Sequence, residues 1–286
     1  MTKYRKSIYL FAMLFAQTPY LYAGAGDPCT LNPSDEIVDV ERCKFDAIEL
    51  TYDVKEIYWC STLPTSTEIP NCEKWGVVPF RFTITDSSVT EVKVTRDLPQ
   101  GSYRWIVVVV EPARMVRAVA TFSREMQGAT GSGKVCWTNG KSINRATDLW
   151  QQPDRNEWSA ECGSQAPSVV PANTEIYTNT NFGPGTFANS YDDLNVDGTR
   201  SIGYLMDSDF NMATTANEIT QVASLHQLTT PIVISGDSDK SQVFDITYDR
   251  SLGAEVFLHS ALGVDNVSRM DTGTFTFTTT YSEIGN

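Results

Sequence analysis

The chain has 286 residues, and its 35 acidic and 22 basic side chains give a formal net charge of −13 at pH 7. A chain with this charge repels phosphate backbones, so we do not expect a nucleic-acid partner. The length is ample for a large hydrophobic core in one large or two modest domains.

The first 25 residues have the order of regions found in secretory signal peptides. Three basic residues stand within the first six positions, an apolar run follows over residues 8–16, and small residues close the segment at Ala23-Gly24-Ala25. Pro19 interrupts the apolar run before it reaches the ~20 residues of a membrane anchor. We therefore predict a signal peptide over residues 1–25. The mature chain would be extracytoplasmic, whether secreted, at the cell surface or periplasmic, with no transmembrane segment.

Six cysteines follow this segment, and an even number in an exported chain indicates three disulfide bonds. Several pairings are formally possible, and the sequential one is the simplest because each bond would close a polar, turn-rich loop. Such bonds typically contribute about 3 kcal/mol each to stability. A zinc site is not expected because the chain has no C-x-x-C pair. The predicted bonds are Cys29–Cys43, Cys60–Cys72 and Cys136–Cys162.

Apolar and polar residues alternate along much of the chain, as they do in half-buried strands. The alternation is clearest over residues 48–55, and its parity shifts after Glu56, as a β-bulge would produce. Residues 106–110 form a continuous apolar run, which predicts a strand buried on both faces. No segment of similar length has a sustained helical period. The sequence therefore predicts an all-β, disulfide-stapled β-sandwich.

One short motif resembles a known family. The segment Leu98-Pro99-Gln-Gly101-Ser-Tyr103 precedes the apolar run. It is similar to the L-P-x-G-x-Y turn that launches a central strand in prealbumin-like (carboxypeptidase-regulatory-like) modules of secreted proteins. The resemblance covers roughly residues 44–125. It implies a β-sandwich with a structural or binding role and brings no catalytic residues with it.

The composition changes after this region. Residues 126–167 are polar and glycine-rich, and a linker-like segment ends them before a second β-rich region begins. We therefore predict an N-terminal sandwich over residues 26–125, a disulfide-bracketed loop and linker over 126–167, and a C-terminal β-rich domain over 168–286. This division amounts to two tandem sandwiches joined by a polar loop region.

Two glycine-containing segments suggest ligand chemistry. Gly128 to Lys134 resembles a phosphate-binding loop, but Val135 replaces the required hydroxyl residue and no helix follows, so we expect a flexible loop.

The second segment resembles the first half of a calcium loop. Asp193, Asn195 and Asp197 place oxygen ligands at alternate positions before Gly198. The acidic residue expected at loop position twelve is missing, and Asp209 is the candidate replacement. Asp197-Gly198 is also a strong signal for a tight hairpin, and the two interpretations are not exclusive. Calcium is the only cofactor that the sequence suggests.

Trp137, Trp150 and Trp158 lie between Cys136 and Cys162 among amide and charged side chains. Exposed indole rings in such surroundings can stack on sugar rings, so these residues are candidate glycan ligands. The alternative is that they form the small core that a disulfide-closed loop needs, because aromatic residues are more often buried than displayed.

No catalytic constellation is visible. The only histidines, His226 and His259, stand in apolar, strand-like segments, and the chain has neither G-x-S-x-G nor H-E-x-x-H. We therefore expect an exported, non-enzymatic structural protein of the cell surface or extracellular space, one candidate role being a subunit of a fibre or coat built with copies of itself or other surface proteins. The alternatives are a module that binds a glycan or another surface ligand, and a secreted hydrolase whose two carboxylates are distant in sequence.

Overall fold

The computed structural model describes residues 28–39, 42–75, 80–85, 90–95, 98–144, 154–178, 187–194, 198–236, 240–259, 265–273 and 276–285. The predicted signal peptide lies outside these residues. Helical structure in the described part consists of three short 3-10 helices, Ser66–Asn71, Arg155–Glu157 and Ala216–Glu218. None of them has the length and apolar content that a membrane span requires.

Strands dominate the described residues, so the all-β prediction is confirmed. The strands are β1 (Cys43–Phe45), β2 (Glu49–Cys60), β3 (Glu73–Lys74), β4 (Phe80–Ile84), β5 (Thr90–Thr95), β6 (Gly101–Arg117), β7 (Val119–Gln127), β8 (Ser132–Thr138), β9 (Ser142–Asn144), β10 (Ala160–Gly163), β11 (Asn173–Ile176), β12 (Ser190–Leu194), β13 (Arg200–Met206), β14 (Gln221–Ile234), β15 (Lys240–Asp249), β16 (Ala254–His259), β17 (Asn266–Thr272) and β18 (Thr276–Gly285).

The strands form three sheets. The six-stranded sheet has the order β1-β16-β17-β7-β8-β10, and the three-stranded sheet has the order β18-β15-β5. The nine-stranded sheet runs β12-β13-β14-β6-β11-β9, and β2, which also pairs with β6, carries β3 and β4. Both faces of β6 are apolar where predicted, because Ile106 and Val110 join one core cluster while Val107 and Val109 join another.

The long strand β6 organises the nine-stranded sheet. One edge pairs with β2, whose register shifts between Tyr52 and Glu56, close to the predicted bulge. The other edge pairs first with β14, up to Val110, and then with β11 from Ala113 onward. Pro112 lies where the partner changes, and proline has no N–H group to donate to a ladder. Because no backbone N–H is needed where the partner changes, β6 continues through Pro112 without a break.

An aromatic cluster joins the three-stranded sheet to the nine-stranded sheet. Phe244 of β15 is fully buried, with its ring centroid 5.1 Å from that of Trp59, 5.5 Å from Trp75 and 5.1 Å from Tyr281. Aromatic side chains bury large areas and dominate the energetics of such contacts. The two sheets therefore pack face to face over one core.

The division into two tandem sandwiches is not confirmed. Strands β1, β5 and β6 belong to the predicted N-terminal domain, and they pair with β16, β15 and β14 of the predicted C-terminal domain. The intervening segment 126–167 contributes β8 and β10 to the six-stranded sheet and β9 to the nine-stranded sheet. All three sheets are thus built from both halves of the chain.

The three predicted disulfides are confirmed. Their Cα atoms lie 4.8, 5.0 and 4.1 Å apart, in chain order. The first ties the segment before β1 to that strand, and the second ties the end of β2 to the end of the first 3-10 helix. The third, Cys136–Cys162, joins residues that face each other across β8 and β10.

Candidate functional site

A pocket of about 490 Å³ opens where β2 ends and β6 begins. One wall is the segment from Cys60 to Glu73, which contains the second disulfide, and the other is the turn from Pro99 to Tyr103. Trp59 also lines the pocket. A volume of this size is within the range of sites that hold small organic ligands.

The first wall is held by three local restraints. The Cys60–Cys72 disulfide closes it, and Ile69 of the 3-10 helix is fully buried in the core on the outer face of the nine-stranded sheet. At the start of that helix, Glu68 Oε2 accepts hydrogen bonds from Thr65 N at 2.9 Å and from Thr65 Oγ1 at 2.8 Å. These two bonds hold the pKa of Glu68 below its usual value, so its carboxylate is ionised at neutral pH.

The second wall is the L-P-x-G-x-Y turn, and β6 begins within it, at Gly101, as predicted. The hydroxyl of Tyr103 donates to the carbonyl oxygen of Pro99 at 2.9 Å and so closes the turn. The side-chain amide of Gln242, on β15, binds both backbone groups of Leu98, at 2.7 and 2.9 Å. Leu98 itself is buried. The turn is therefore fixed to the three-stranded sheet.

The pocket is polar and carries negative charge. Of the fifteen described residues that line it, Glu68 and Glu73 are carboxylates and none is lysine, arginine or histidine. Burial raises the pKa of Tyr103, and the negative charge of Glu73 raises it further. Glu73 is therefore close enough to the turn for its charge to act on the Tyr103 hydroxyl. The amides of Asn71 and Gln100 add hydrogen-bonding groups.

A second group of charged residues is buried in the six-stranded sheet. Glu255 and Asp271 face each other across β16 and β17. Arg42 binds Glu255 through two nitrogens, one of them at 2.7 Å, and Arg269 binds Asp271 at 2.5 Å. Burial raises the pKa of Asp271 to about 6, although the Arg269 charge opposes this. The two carboxylates are at most 4% exposed, so this cluster lies inside the sheet and offers no accessible acid–base pair.

The predicted calcium ligands are only partly within the described residues. Asn195, Asp197 and the side chain of Asp193 lie outside them. Asp209 is exposed, and its backbone N–H donates to the carboxylate of Asp207 at 2.8 Å. The two flanking strands do form an antiparallel pair, with Leu194 opposite Arg200 and a φ of +81° at Gly198. The connection is therefore the five residues 195–199, and the tight turn at Asp197-Gly198 stays a prediction because Asp197 lies outside the described residues. The calcium site remains a prediction.

Another group of potential metal ligands in the described residues does not form a credible site. Cys29, Asp39 and Cys43 have ligand atoms within 4.8 Å of one another. Both cysteines are oxidised in the first disulfide, so neither can supply the thiolate that a metal needs. Asp39 instead accepts a hydrogen bond from the backbone of Thr30 at 2.5 Å.

Two of the three candidate tryptophans lie within the described residues, and neither of them is fully exposed. Trp150 lies outside the described residues, and Trp158 is only 4% exposed, with the guanidinium of Arg155 at 5.2 Å from its ring centroid. Trp137 is half-buried on β8, and it packs close to Gly163 on the adjacent strand. Trp158 therefore belongs to the interior, as the alternative interpretation expected, and does not present a stacking face.

The glycine-rich segment after β7 binds the carboxylate of Glu161, a residue of β10. Glu161 accepts hydrogen bonds from the backbone N–H of Gly131 at 2.6 Å, from that of Thr130 at 3.1 Å and from the Thr130 hydroxyl at 2.9 Å. A Cβ atom at Gly128 or Gly131 would overlap the backbone around Cys162. The glycines thus permit a close approach of two backbones, where the sequence predicted a flexible loop. Sequence reasoning missed this because Glu161 is 30 residues away.

His226 is held by neighbouring hydroxyl groups. Its Nε2 lies 2.8 Å from the Ser224 hydroxyl, and its Nδ1 lies 3.4 Å from that of Ser201. Burial and then the charge of Arg114 lower the pKa of His226 to about 3. A histidine with this pKa is a poor general base near neutral pH. Both ring nitrogens of His226 thus face hydroxyl groups, whereas the side chain of His259 lies outside the described residues.

Comparison with known proteins gives no assignment. The resemblance to prealbumin-like modules therefore rests on the L-P-x-G-x-Y turn alone and stays a prediction. No family model, no curated protein and no solved structure matches this chain.

Proposed function

We propose that this chain is an exported, non-enzymatic structural subunit that assembles with further copies of itself through the edges of its three-stranded sheet. The three disulfides support an extracytoplasmic location, because such bonds persist in oxidising compartments. The observation that carries the proposal is the edge strand β18.

Strand β18 is long and regular. Its ten residues pair with β15 in one unbroken register, from Thr276 opposite Asp249 to Gly285 opposite Lys240. Within the described residues, no second strand pairs with its other side. Proteins that must stay monomeric blunt such edges with lysine, proline, bulges or short strands. The β18 sequence has no proline, no lysine and a single charged residue, Glu283.

The opposite edge of the same sheet supports an open assembly. Strand β5 also pairs only with β15 in the described residues, and both β5 and β18 are antiparallel to β15. The two edge strands therefore run in the same direction. Pairing of β18 in one copy with β5 in the next would continue the sheet from molecule to molecule. Such a head-to-tail contact does not close on itself when the rotation between copies is small, so it generates a fibre.

The test compares the purified mature chain, beginning at Gly26, with an edge variant that carries Thr280→Lys and Ser282→Lys. Both side chains are exposed, so the variant should fold, while two positive charges blunt the edge. The control is Thr121→Lys, at an exposed threonine of the interior strand β7. Negative-stain electron microscopy and light scattering report assembly, with and without millimolar calcium.

We expect filaments or ordered multimers for the wild type and the control, and monomers for the edge variant with an unchanged circular-dichroism spectrum. A requirement for calcium would point to the predicted ligands Asp193, Asn195 and Asp197. A wild-type chain that stays monomeric at high concentration in both conditions would refute self-assembly.

A further inference from the structure

The pocket between the Cys60–Cys72 loop and the 99–103 turn is separate from the edge strands through which we propose that the chain assembles. It lies at the end of the nine-stranded sheet, and its described lining includes no residue of β5 or β18. Both of its walls are fixed before any ligand arrives, one by the disulfide and the other by Gln242 and Tyr103. A preformed site avoids the entropic cost of ordering loops on binding.

The negative charge of the pocket favours a positively charged ligand. Glu68 and Glu73 are exposed carboxylates that line it, and no cationic side chain among the described lining residues neutralises them. The hydrogen bonds from Thr65 keep Glu68 ionised without adding a positive charge. The net charge of −13 adds a long-range field that attracts cations and repels anions.

The other lining groups select a polar ligand over a purely apolar amine. Asn71, Gln100 and Ser102 offer both donors and acceptors. Trp59 is fully buried, and its indole N–H has no acceptor in the described part of the chain. This N–H is closed off from solvent, so it is not among the groups that a ligand in the pocket contacts.

We infer that this pocket binds a small hydroxylated organic cation, with an ammonium group placed against Glu68 and Glu73 and hydroxyl groups placed against the amides of Asn71 and Gln100. An amino sugar has this chemistry, and a volume of about 490 Å³ accommodates one sugar ring with room for water or a second unit.

The probe is glucosamine, with glucose as a neutral partner of nearly the same shape, in which a hydroxyl group replaces the ammonium group. Isothermal titration calorimetry at low and at physiological salt measures both sugars against the mature chain. We expect glucosamine to bind saturably and at least 10-fold more tightly than glucose. Its affinity should fall as salt rises, because the contact is with exposed carboxylates.

Two variants place the binding in this pocket. Glu68→Gln keeps an oxygen that can accept from Thr65, and Glu73→Gln changes only an exposed side chain. Each should weaken glucosamine binding about 2- to 5-fold, and the double variant more strongly. The control is Glu157→Gln, at an exposed carboxylate in another 3-10 helix. Its affinity for glucosamine should match that of the wild type.

Equal affinity for the two sugars without salt dependence would overturn the inference in favour of a neutral saccharide site. Equal losses in the control and the pocket variants would show a non-specific charge effect and would also overturn it. The same holds if no heat of binding is seen up to about 10 mM glucosamine, since weaker binding than this would be negligible.

Discussion

The disulfides allow a quantitative prediction, because the three bonds close loops of different lengths. We consider replacement of Cys136 and Cys162 by alanine, and separately of Cys60 and Cys72. The first bond spans 26 residues and the second 12. Loop-closure entropy then gives a loss of about 3.5 kcal/mol for the first pair and about 2.8 kcal/mol for the second at 25 °C.

Burial should widen this difference. Cys136 is fully buried and Cys162 is 3% exposed, in a core cluster that includes Phe122 and Met126. Removing both sulfur atoms there leaves a void between packed side chains, which adds to the entropic loss. Cys72 is only half-buried, so the Cys60–Cys72 variant should lose less packing.

The assay is equilibrium unfolding in guanidinium chloride, followed by far-ultraviolet circular dichroism. Alanine is used in both variants so that no free thiol can form other bonds. We expect the variant without Cys136–Cys162 to lose more unfolding free energy than the variant without Cys60–Cys72. A loss below 1 kcal/mol for the first variant, or the opposite order of the two, would refute the reasoning from loop length and burial.

Three further predictions concern the interior. Phe244→Ala removes a fully buried ring and should cost about 3–5 kcal/mol of unfolding free energy, with a change in tryptophan fluorescence. Gly203→Ala should lower the melting temperature, because its Cβ would collide with the ring of Tyr191 on β12, and Tyr191→Ala should relieve the effect. The raised pKa of Asp271 means that its neutral form favours folding, so its stabilisation is present below about pH 4 and is lost as the pH rises through about 6. Denaturant titrations would measure the unfolding free energy of Asp271→Asn minus that of the wild type. This difference should rise by on the order of 3 kcal/mol between about pH 4 and pH 7, because only the wild type loses stability there. A difference that did not change with pH would contradict the raised pKa of Asp271.

Short sequence patterns predicted those features of the fold that involve residues close together in the chain. Alternation in the sequence located strands, and polar loops between neighbouring cysteines located the disulfides. The strand partners could not be predicted, because alternation shows which residues share a face and is silent about which strand lies alongside. The pairing of β6 with β14, more than 100 residues later in the chain, has no signal of this kind.

The candidate pocket was predicted only in its parts. The sequence identified the Cys60–Cys72 loop and the turn from Leu98 to Tyr103, but their meeting depends on the antiparallel pairing of β2 with β6. The burial of Trp158 was equally hidden, since composition alone does not say whether an indole ring faces solvent or a core. The clamp from Gln242 onto Leu98 joins residues 144 positions apart.

The interleaving of the two halves has a consequence for the order of events during biosynthesis. Arg42 and Glu255 are 213 residues apart, and β1 pairs with the strand that carries Glu255. The nine-stranded sheet cannot be completed before β14, which ends at Ile234, and the other two sheets need β17 and β18 near the end of the chain. Folding dominated by such distant pairings is slow. For a chain exported as we propose, slow folding preserves the unfolded state that passage through a secretion channel requires. For the same reason, a chain truncated before β14 would expose several unpaired edges and should aggregate.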